Sequence, residues 1–147
     1  EASTSYPDEL VQWVACRVTT GETFDGIVRP RYPLAPRTCE HTGLSPELLD
    51  AGSEVEAVHR AWDAFVRPRD VIVAWGHYGL RLFLESGGAL PASRVDLRHV
   101  ARQVSGTRVG TLEAAAEGLP HEPKARGRGG LRAALLQALV RSYSAER

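Results

Sequence analysis

Cysteine is scarce in this chain, and its scarcity excludes two classes at the outset. Cys16 and Cys39 are the only two, too few for a disulfide framework or a zinc site, so a reducing, cytoplasmic compartment is the expected location. Cys16 lies in an apolar stretch and reads as core. Long apolar runs are missing as well. None approaches the roughly 20 residues that span a bilayer, and no secretory signal is visible, so no membrane partner is expected. Net charge is zero over 18 basic and 18 acidic side chains, so no global field draws the chain toward nucleic acid. Lysine is nearly absent: Lys124 stands alone among 18 basic residues, leaving 17 arginines. A GC-rich coding sequence accounts for that bias, and so does selection of the planar guanidinium for phosphate contacts. Composition does not separate them. The first residue is Glu1 rather than methionine, so the start reads as cut, processed or part of a longer chain.

What is present suits a single domain. The chain has 147 residues, 43% of them hydrophobic and 24% charged, values of an ordinary soluble protein with a sizeable core. There is no internal repeat, no low-complexity segment and no second domain. Leu10 to Val18 is rich in β-branched and aromatic residues and predicts a strand. Thr20-Gly21 is a turn, and Thr23 to Val28 returns as the antiparallel partner. Three prolines in residues 29–36 rule out helix or central strand and leave an extended surface loop. Ser45-Pro46-Glu47 marks a helix start, with Ser45 as N-cap and Pro46 at the first helical position, ending near Ala51-Gly52. Ser53 is expected to cap a longer helix through Phe65, in which Val55, Val58, Trp62 and Phe65 fall at helical spacing. Arg67-Pro68 ends it.

The chain reads as organised around Asp70 to Leu84. Val71 to Trp75 is an unbroken apolar run, which predicts a strand buried on both faces, as in a parallel pair. A Gly-rich turn follows, then a helix from about Tyr78 to Ser86. Ligands of α/β domains sit beyond the carboxyl ends of such strands, so Gly76, His77, Tyr78 and Gly79 stand where chemistry is expected. Arg94 to Leu97 reads as a short strand running into a helix capped by Asp96. Thr111 opens another helix, Leu112 to Glu117. Residues 120–130 form a basic loop, and the last helix runs from Leu131 to about Tyr143. Gly127 to Gly130 reads equally as a flexible Arg-Gly turn. This order predicts an α/β domain: a mixed sheet with an N-terminal antiparallel hairpin and helices on both faces. One element is wanting. Such an order needs a central strand between the hairpin and the parallel pair, and residues 1–9 are too polar to supply it.

Five stretches now fall into a pattern. Ile27-Val-Arg-Pro30 closes the second strand, Thr42-Gly-Leu-Ser45 precedes a short helix, and Val73-Ala-Trp-Gly76 ends a strand. Val95-Asp-Leu-Arg98 and Ala125-Arg-Gly-Arg-Gly-Gly-Leu-Arg132 complete it. In this order and spacing, over essentially the whole chain, the sequence resembles the DEDD-type 3′–5′ exonucleases, in the branch with a catalytic His. The resemblance implies a ribonuclease-H-like fold whose first central strand lies upstream of residue 1. That family holds two divalent ions with an Asp-x-Glu pair, an Asp after the fourth strand and a final Asp, with a His five residues earlier as general base. Carried over, Glu1 stands as the Glu of the first pair. The expected Asp falls on Gly79, the His on Ala125, the final Asp on Gly130, and a neighbouring acidic position on Gly129. No Asp or Glu occurs between Lys124 and Arg141. Mg²⁺ or Mn²⁺ needs several hard oxygen ligands, and Glu1 alone cannot hold two ions. The resemblance therefore implies no intact catalytic residue and no cofactor.

The remaining polar residues divide between structural and binding roles. His77 reads as an exposed loop residue or as a phosphate or base contact. Lys124, Arg126, Arg128 and Arg132 lie within nine residues without an acid, as a solvated charge run or as a nucleic-acid-binding segment bordering the vacated cleft. Arg29, Arg31, Arg67 and Arg69 could extend a basic surface. His121-Glu122 lacks a third ligand for zinc, and Asp96 reads as a helix cap. Trp13, Trp62 and Trp75 read as core, with Trp75 placed to stack on a base at the cleft. The leading expectation is a catalytically degenerate exonuclease-like domain that binds RNA or DNA, or a linked or associated protein domain. The alternatives are an active Mg²⁺- or Mn²⁺-dependent 3′–5′ exonuclease completed by upstream residues, and a purely structural interaction module.

Overall fold

A computed structural model describes residues 8–145, so the position read as a metal ligand, Glu1, lies outside the described residues. The chain opens with the expected hairpin, β1 (Gln12–Cys16) paired antiparallel with β2 (Thr23–Ile27), Gln12 opposite Ile27 and Cys16 opposite Thr23. Gly21 makes the turn at φ 81°, a conformation that side-chain-bearing residues rarely adopt. After the Pro-rich loop comes α1 (Thr38–Thr42), which the sequence reading did not anticipate. In α2 (Pro46–Asp50), the Ser45 hydroxyl accepts from the Leu48 N–H at 3.1 Å, as a cap should.

The next helix, α3 (Val55–Phe65), has the expected span but not the expected cap. Glu54 stands at its N-cap position and makes no side-chain cap bond. Ser53 is held elsewhere: its N–H donates to the Ile27 carbonyl at 2.9 Å, and its carbonyl accepts from Arg29 at 2.8 Å. That places it in a parallel bridge with Val28, one residue too early to cap.

β3 (Ile72–Ala74) and β4 (Arg94–Asp96) form the parallel pair, with Ile72 opposite Arg94. Between them runs α4 (Tyr78–Glu85). α5 (Leu97–Ser105), α6 (Leu112–Ala115) and α7 (Gly127–Ala145) follow. The last helix begins four residues before Leu131. Gly127 to Gly130 is therefore its first turn, not a flexible loop. Gly130 is buried there, which trades poor helix propensity for close packing.

Helices cover both faces. Trp13, Ala15, Phe24 and Ile72 pack with Trp62 of α3 and Phe83 of α4. On the other face, Val73 and Trp75 pack with Leu97, Leu112, Leu135 and Leu139. Alternation along each strand sends neighbouring side chains to opposite layers, giving a sandwich of helices, strands and helices. Trp62, 2% exposed, anchors the first layer and donates its indole N–H to the Ala89 carbonyl at 3.1 Å. Trp13 stacks on Phe83 with ring centroids 4.1 Å apart.

Two expectations fail here. The strands do not make one mixed sheet: among the described residues they form two separate two-stranded sheets, β1–β2 and β3–β4. Nor is the central apolar run buried on both faces. The strand is three residues long and half-buried, and Val71 is 53% exposed. The cause is common to both. β3 has a partner on one edge only, and its other edge borders a cavity.

Candidate functional site

The turn after β3 is fixed by Asp96. Gly76, at φ 75°, donates its N–H to Asp96 Oδ1 at 2.9 Å, and the same oxygen accepts from the Arg98 N–H at 3.0 Å. Asp96 thereby caps α5, as the sequence indicated, and also ties the ends of β3 and β4 together. Burial pushes its carboxyl up, but the donors from Gly76, Arg98 and His99, with the His77 ring, outweigh that and hold it below the usual carboxylate value. His77 Nε2 lies 3.5 Å from Asp96 Oδ2, with its side chain 84% exposed. The ring is thus loosely oriented and open to solvent at the carboxyl ends of the parallel strands.

Gly79 and Gly130 stand in opposite surroundings. A Cβ on Gly79 would meet nothing within 4 Å, whereas one on Gly130 would run into the backbone of Ala125. Gly79 borders a groove of about 550 Å³ together with Gly129 and Arg132. Ala125 and Gly130 instead line a small void of about 10 Å³ beneath β1, beside Val14, Cys16 and Lys124. The structure therefore brings Gly79, Gly129 and Arg132 to one cavity and sets Ala125 and Gly130 apart from it. Gly129 is pressed against Gln12, whose Oε1 would lie 2.6 Å from an added Cβ.

Among the described residues, the positions carried over from the resemblance do not supply the side chains that a pair of divalent ions needs. Gly79, Ala125 and Gly130 carry no ligand atoms, and Asp96 spends one oxygen on two backbone donors. Among the described residues no group of three or more His, Cys, Asp or Glu side chains converges on a point. His121 follows that pattern, with its Nδ1 3.0 Å from the Leu119 carbonyl.

The basic segment is more structured than a solvated charge run. Arg132 Nη1 donates to Glu113 Oε1 at 2.7 Å, and Arg128 Nη2 approaches the same oxygen at 4.0 Å. Arg126 lies 3.8 Å from Asp25. Gln12 Nε2 donates to Asp25 Oδ1 at 3.0 Å and to the Arg126 carbonyl at 2.8 Å, fixing where α7 begins. Burial raises the Glu113 carboxyl, but its own N–H together with Arg132 and Arg128 brings it below the usual range. The pairs at Arg126 and Arg128 are long, and these side chains are 62% and 48% exposed. Such contacts contribute little and yield readily to a better anion. Lys124 reaches toward the hairpin turn at Gly21.

Sequence reasoning missed Asp25, Glu113 and Gln12. Each had a faint signal: Asp25 and Gln12 alternate with apolar neighbours on paired strands, and Glu113 sits in the first turn of a helix capped by Thr111. The wider basic surface is mostly neutralised, with Arg29 on Glu54 and Arg31 on Glu56, each at 2.8 Å, and Arg67 3.9 Å from Glu22. Trp75 packs in the second core layer and also borders the groove. Among the described residues no helix is long and apolar enough to cross a membrane. No family model matches the chain, and no curated protein matches it.

Proposed function

We propose that this chain is a catalytically degenerate, exonuclease-like domain on a ribonuclease-H-like scaffold, and that it binds single-stranded nucleic acid through its phosphates rather than cutting it. The observation that carries this reading is the pairing at the start of α7. Arg126 and Arg128 are exposed, meet carboxylates 3.8 and 4.0 Å away among the described residues, and are available to phosphate at small cost. They lie just ahead of Gly129, which borders the cavity together with Gly79 and Arg132. His77, exposed in the turn between the lining residues Gly76 and Tyr78, can add a donor. Where the resembling family has carboxylates that would repel a backbone phosphate in the absence of metal, this chain has glycine, at Gly79, Gly129 and Gly130.

The test has two arms. The first is a digestion assay on labelled single-stranded RNA and DNA with Mg²⁺ or Mn²⁺. Its expected result is no shortening; metal-dependent shortening would favour the active-exonuclease reading instead. The second is binding of the same oligonucleotides across a salt series, with affinity falling as salt rises. Absence of binding at low salt would leave the interaction-module reading, in which the scaffold meets a protein.

A further inference from the structure

Most arginines of the fold meet a carboxylate, but those of α5 and its flanks do not. Arg17, Arg29, Arg31 and Arg132 each pair at 2.8 Å or less. Between residues 94 and 108 the chain carries Arg94, Arg98, Arg102 and Arg108 with His99, against one acid, Asp96. Asp96 is engaged by the Gly76 and Arg98 N–H groups and by the His77 ring. Among the described residues no carboxylate pairs with Arg98, Arg102 or Arg108. Arg98 and Arg102 stand at i and i+4 of one helix, where like charges are neighbours and repel. Arg98 also lies in the first turn, the end of a helix that disfavours a cation. Its Nε is shut from solvent and has no hydrogen-bond acceptor among the described residues. These positions carry an electrostatic strain that a bound anion would relieve.

The end of α5 gathers two of these charges. Gly106, at φ 69°, takes the left-handed conformation that glycine accepts freely, and its N–H bonds to the Arg102 carbonyl at 3.0 Å. The chain reverses there, with the Ser105 hydroxyl donating to the Thr107 carbonyl at 3.0 Å. Arg102, Gln103, Gly106, Thr107 and Arg108 consequently line one open concavity of about 590 Å³, and all five are exposed. The other end of α5 starts at the groove. Asp96 Oδ1 holds the Gly76 and Arg98 N–H groups together, and Gly76 lines the groove with Gly79. We propose that the α5 face, from Arg98 to the concavity at Arg102 and Arg108, is a second phosphate-binding surface, which takes the nucleic-acid backbone as it leaves the groove. This rests on the nucleic-acid reading above and lengthens its footprint. Phosphate suits the face because guanidinium forks meet its oxygens in pairs, and Gln and Thr side chains are regular phosphate contacts as well. An acidic protein suits it less. Protein interfaces are built on aromatic and apolar anchors, and Val104, 61% exposed, is the one large apolar side chain that α5 exposes.

The experiment measures binding of two labelled single strands to the 147-residue chain across a salt series. The strands have about 4 and about 16 nucleotides, lengths that bracket the site sizes of single-strand binders. Arg102→Ala with Arg108→Ala should leave binding of the shorter strand unchanged. For the longer strand it should flatten the slope of log affinity against log salt by about 1.4, which is about 0.7 for each lost phosphate contact. Both side chains are exposed, and circular dichroism checks that the variant stays folded. Arg102→Lys with Arg108→Lys keeps the charge and should keep the slope. An unchanged slope for the longer strand, or an equal loss for both lengths, would overturn the proposal. So would polyglutamate of equal charge displacing the longer strand from the Arg126→Ala, Arg128→Ala chain as readily as unlabelled oligonucleotide does, since that makes α5 a docking surface for acidic protein. Failure of the earlier reading looks different. If Arg126→Ala with Arg128→Ala changes neither strand's binding while the α5 pair still weakens the longer one, the α5 surface stands and the α7 rim falls. If the parent chain binds neither strand at 50 mM KCl, both fall.

Discussion

Arg17 and Asp70 join the two sheets. Arg17 Nη1 donates to Asp70 Oδ1 at 2.8 Å, and Nη2 donates to the Phe65 carbonyl at 2.8 Å. Asp70 Oδ2 accepts from the Arg67 N–H at 2.8 Å. A strand end, a helix end and the entry to β3 thus meet at one guanidinium–carboxylate pair, where β1 and β3 share no ladder.

The hydrogen bond from Arg17, and then the N–H of Arg67, hold the Asp70 carboxyl below its usual value. A carboxyl depressed in the folded state stabilises above its unfolded pKa, about 3.9, and that contribution disappears as pH falls through the folded value. Asp70→Asn is therefore expected to lose about 1–3 kcal/mol at pH 7, in the range for a charged hydrogen bond. The difference from the parent chain should shrink below about pH 4. Urea denaturation at pH 7 and pH 3 measures both. An equal loss at the two values would mean that the carboxylate charge is not what stabilises this junction.

The two glycines read as vacated ligand positions should respond in opposite ways. Gly130→Ala forces a Cβ into the Ala125 backbone and is expected to cost about 1–3 kcal/mol, as overpacking does. Gly79 is helical with open space around it, so Gly79→Ala should stabilise by about 0.4–1 kcal/mol through the unfolded chain. Thermal melts of the two variants test the pair. It follows that Gly79→Asp is tolerated alone, whereas combining it with Ala125→His and Gly130→Asp loosens the start of α7 before any ion could be held.

Local chemistry was legible wherever it was also self-sufficient. Ser45-Pro46 specified a helix start that its own side chain completes, and Val55 to Phe65 carried its apolar face in its spacing. Ser53 was misread because its role depends on Ile27 and Arg29, 26 and 24 residues earlier, whose backbone claims it first. The run at Val71 was misread because burial of a strand depends on neighbours at both edges, and one edge here opens on a groove. Gly127 to Gly130 looked like a turn by propensity, but packing against β1 overrides propensity where only glycine fits. At the candidate site, sequence supplied the arginines and not their partners. Asp25 and Glu113 lie 101 and 15 residues from Arg126 and Arg128 in the chain.

Trp62 is the residue on which the first helix layer turns. It is buried to 2% exposure, touches the rings of Trp13, Phe24, Phe65 and Phe83, and bonds to Ala89. Trp62→Ala is expected to cost about 3–5 kcal/mol, the range for removing a buried large aromatic. Trp62→Phe should cost less, keeping most of the packing and losing the indole hydrogen bond. Chemical denaturation followed by circular dichroism ranks the two; equal costs would put the hydrogen bond, not the volume, in control.

Glu113 offers the sharpest test of the binding reading, because it competes with phosphate for Arg128 and Arg132. Each cation that meets a phosphate of a single strand contributes about 0.7 to the slope of log affinity against log salt. Arg126→Ala with Arg128→Ala should therefore flatten that slope by about 1.4 and weaken binding alike for every oligonucleotide sequence. Glu113→Gln should do the reverse, strengthening binding several-fold at low salt and steepening the slope, since it removes the anion that now holds two guanidinium groups. Arg132→Ala separates this from simple charge counting: it leaves Glu113 facing the rim without its close partner and should weaken binding by more than the loss of one cation. Fluorescence anisotropy of a labelled oligonucleotide over 50 to 300 mM KCl measures all three variants. If Glu113→Gln leaves affinity unchanged while the chain stays folded, the α7 rim is not where nucleic acid binds.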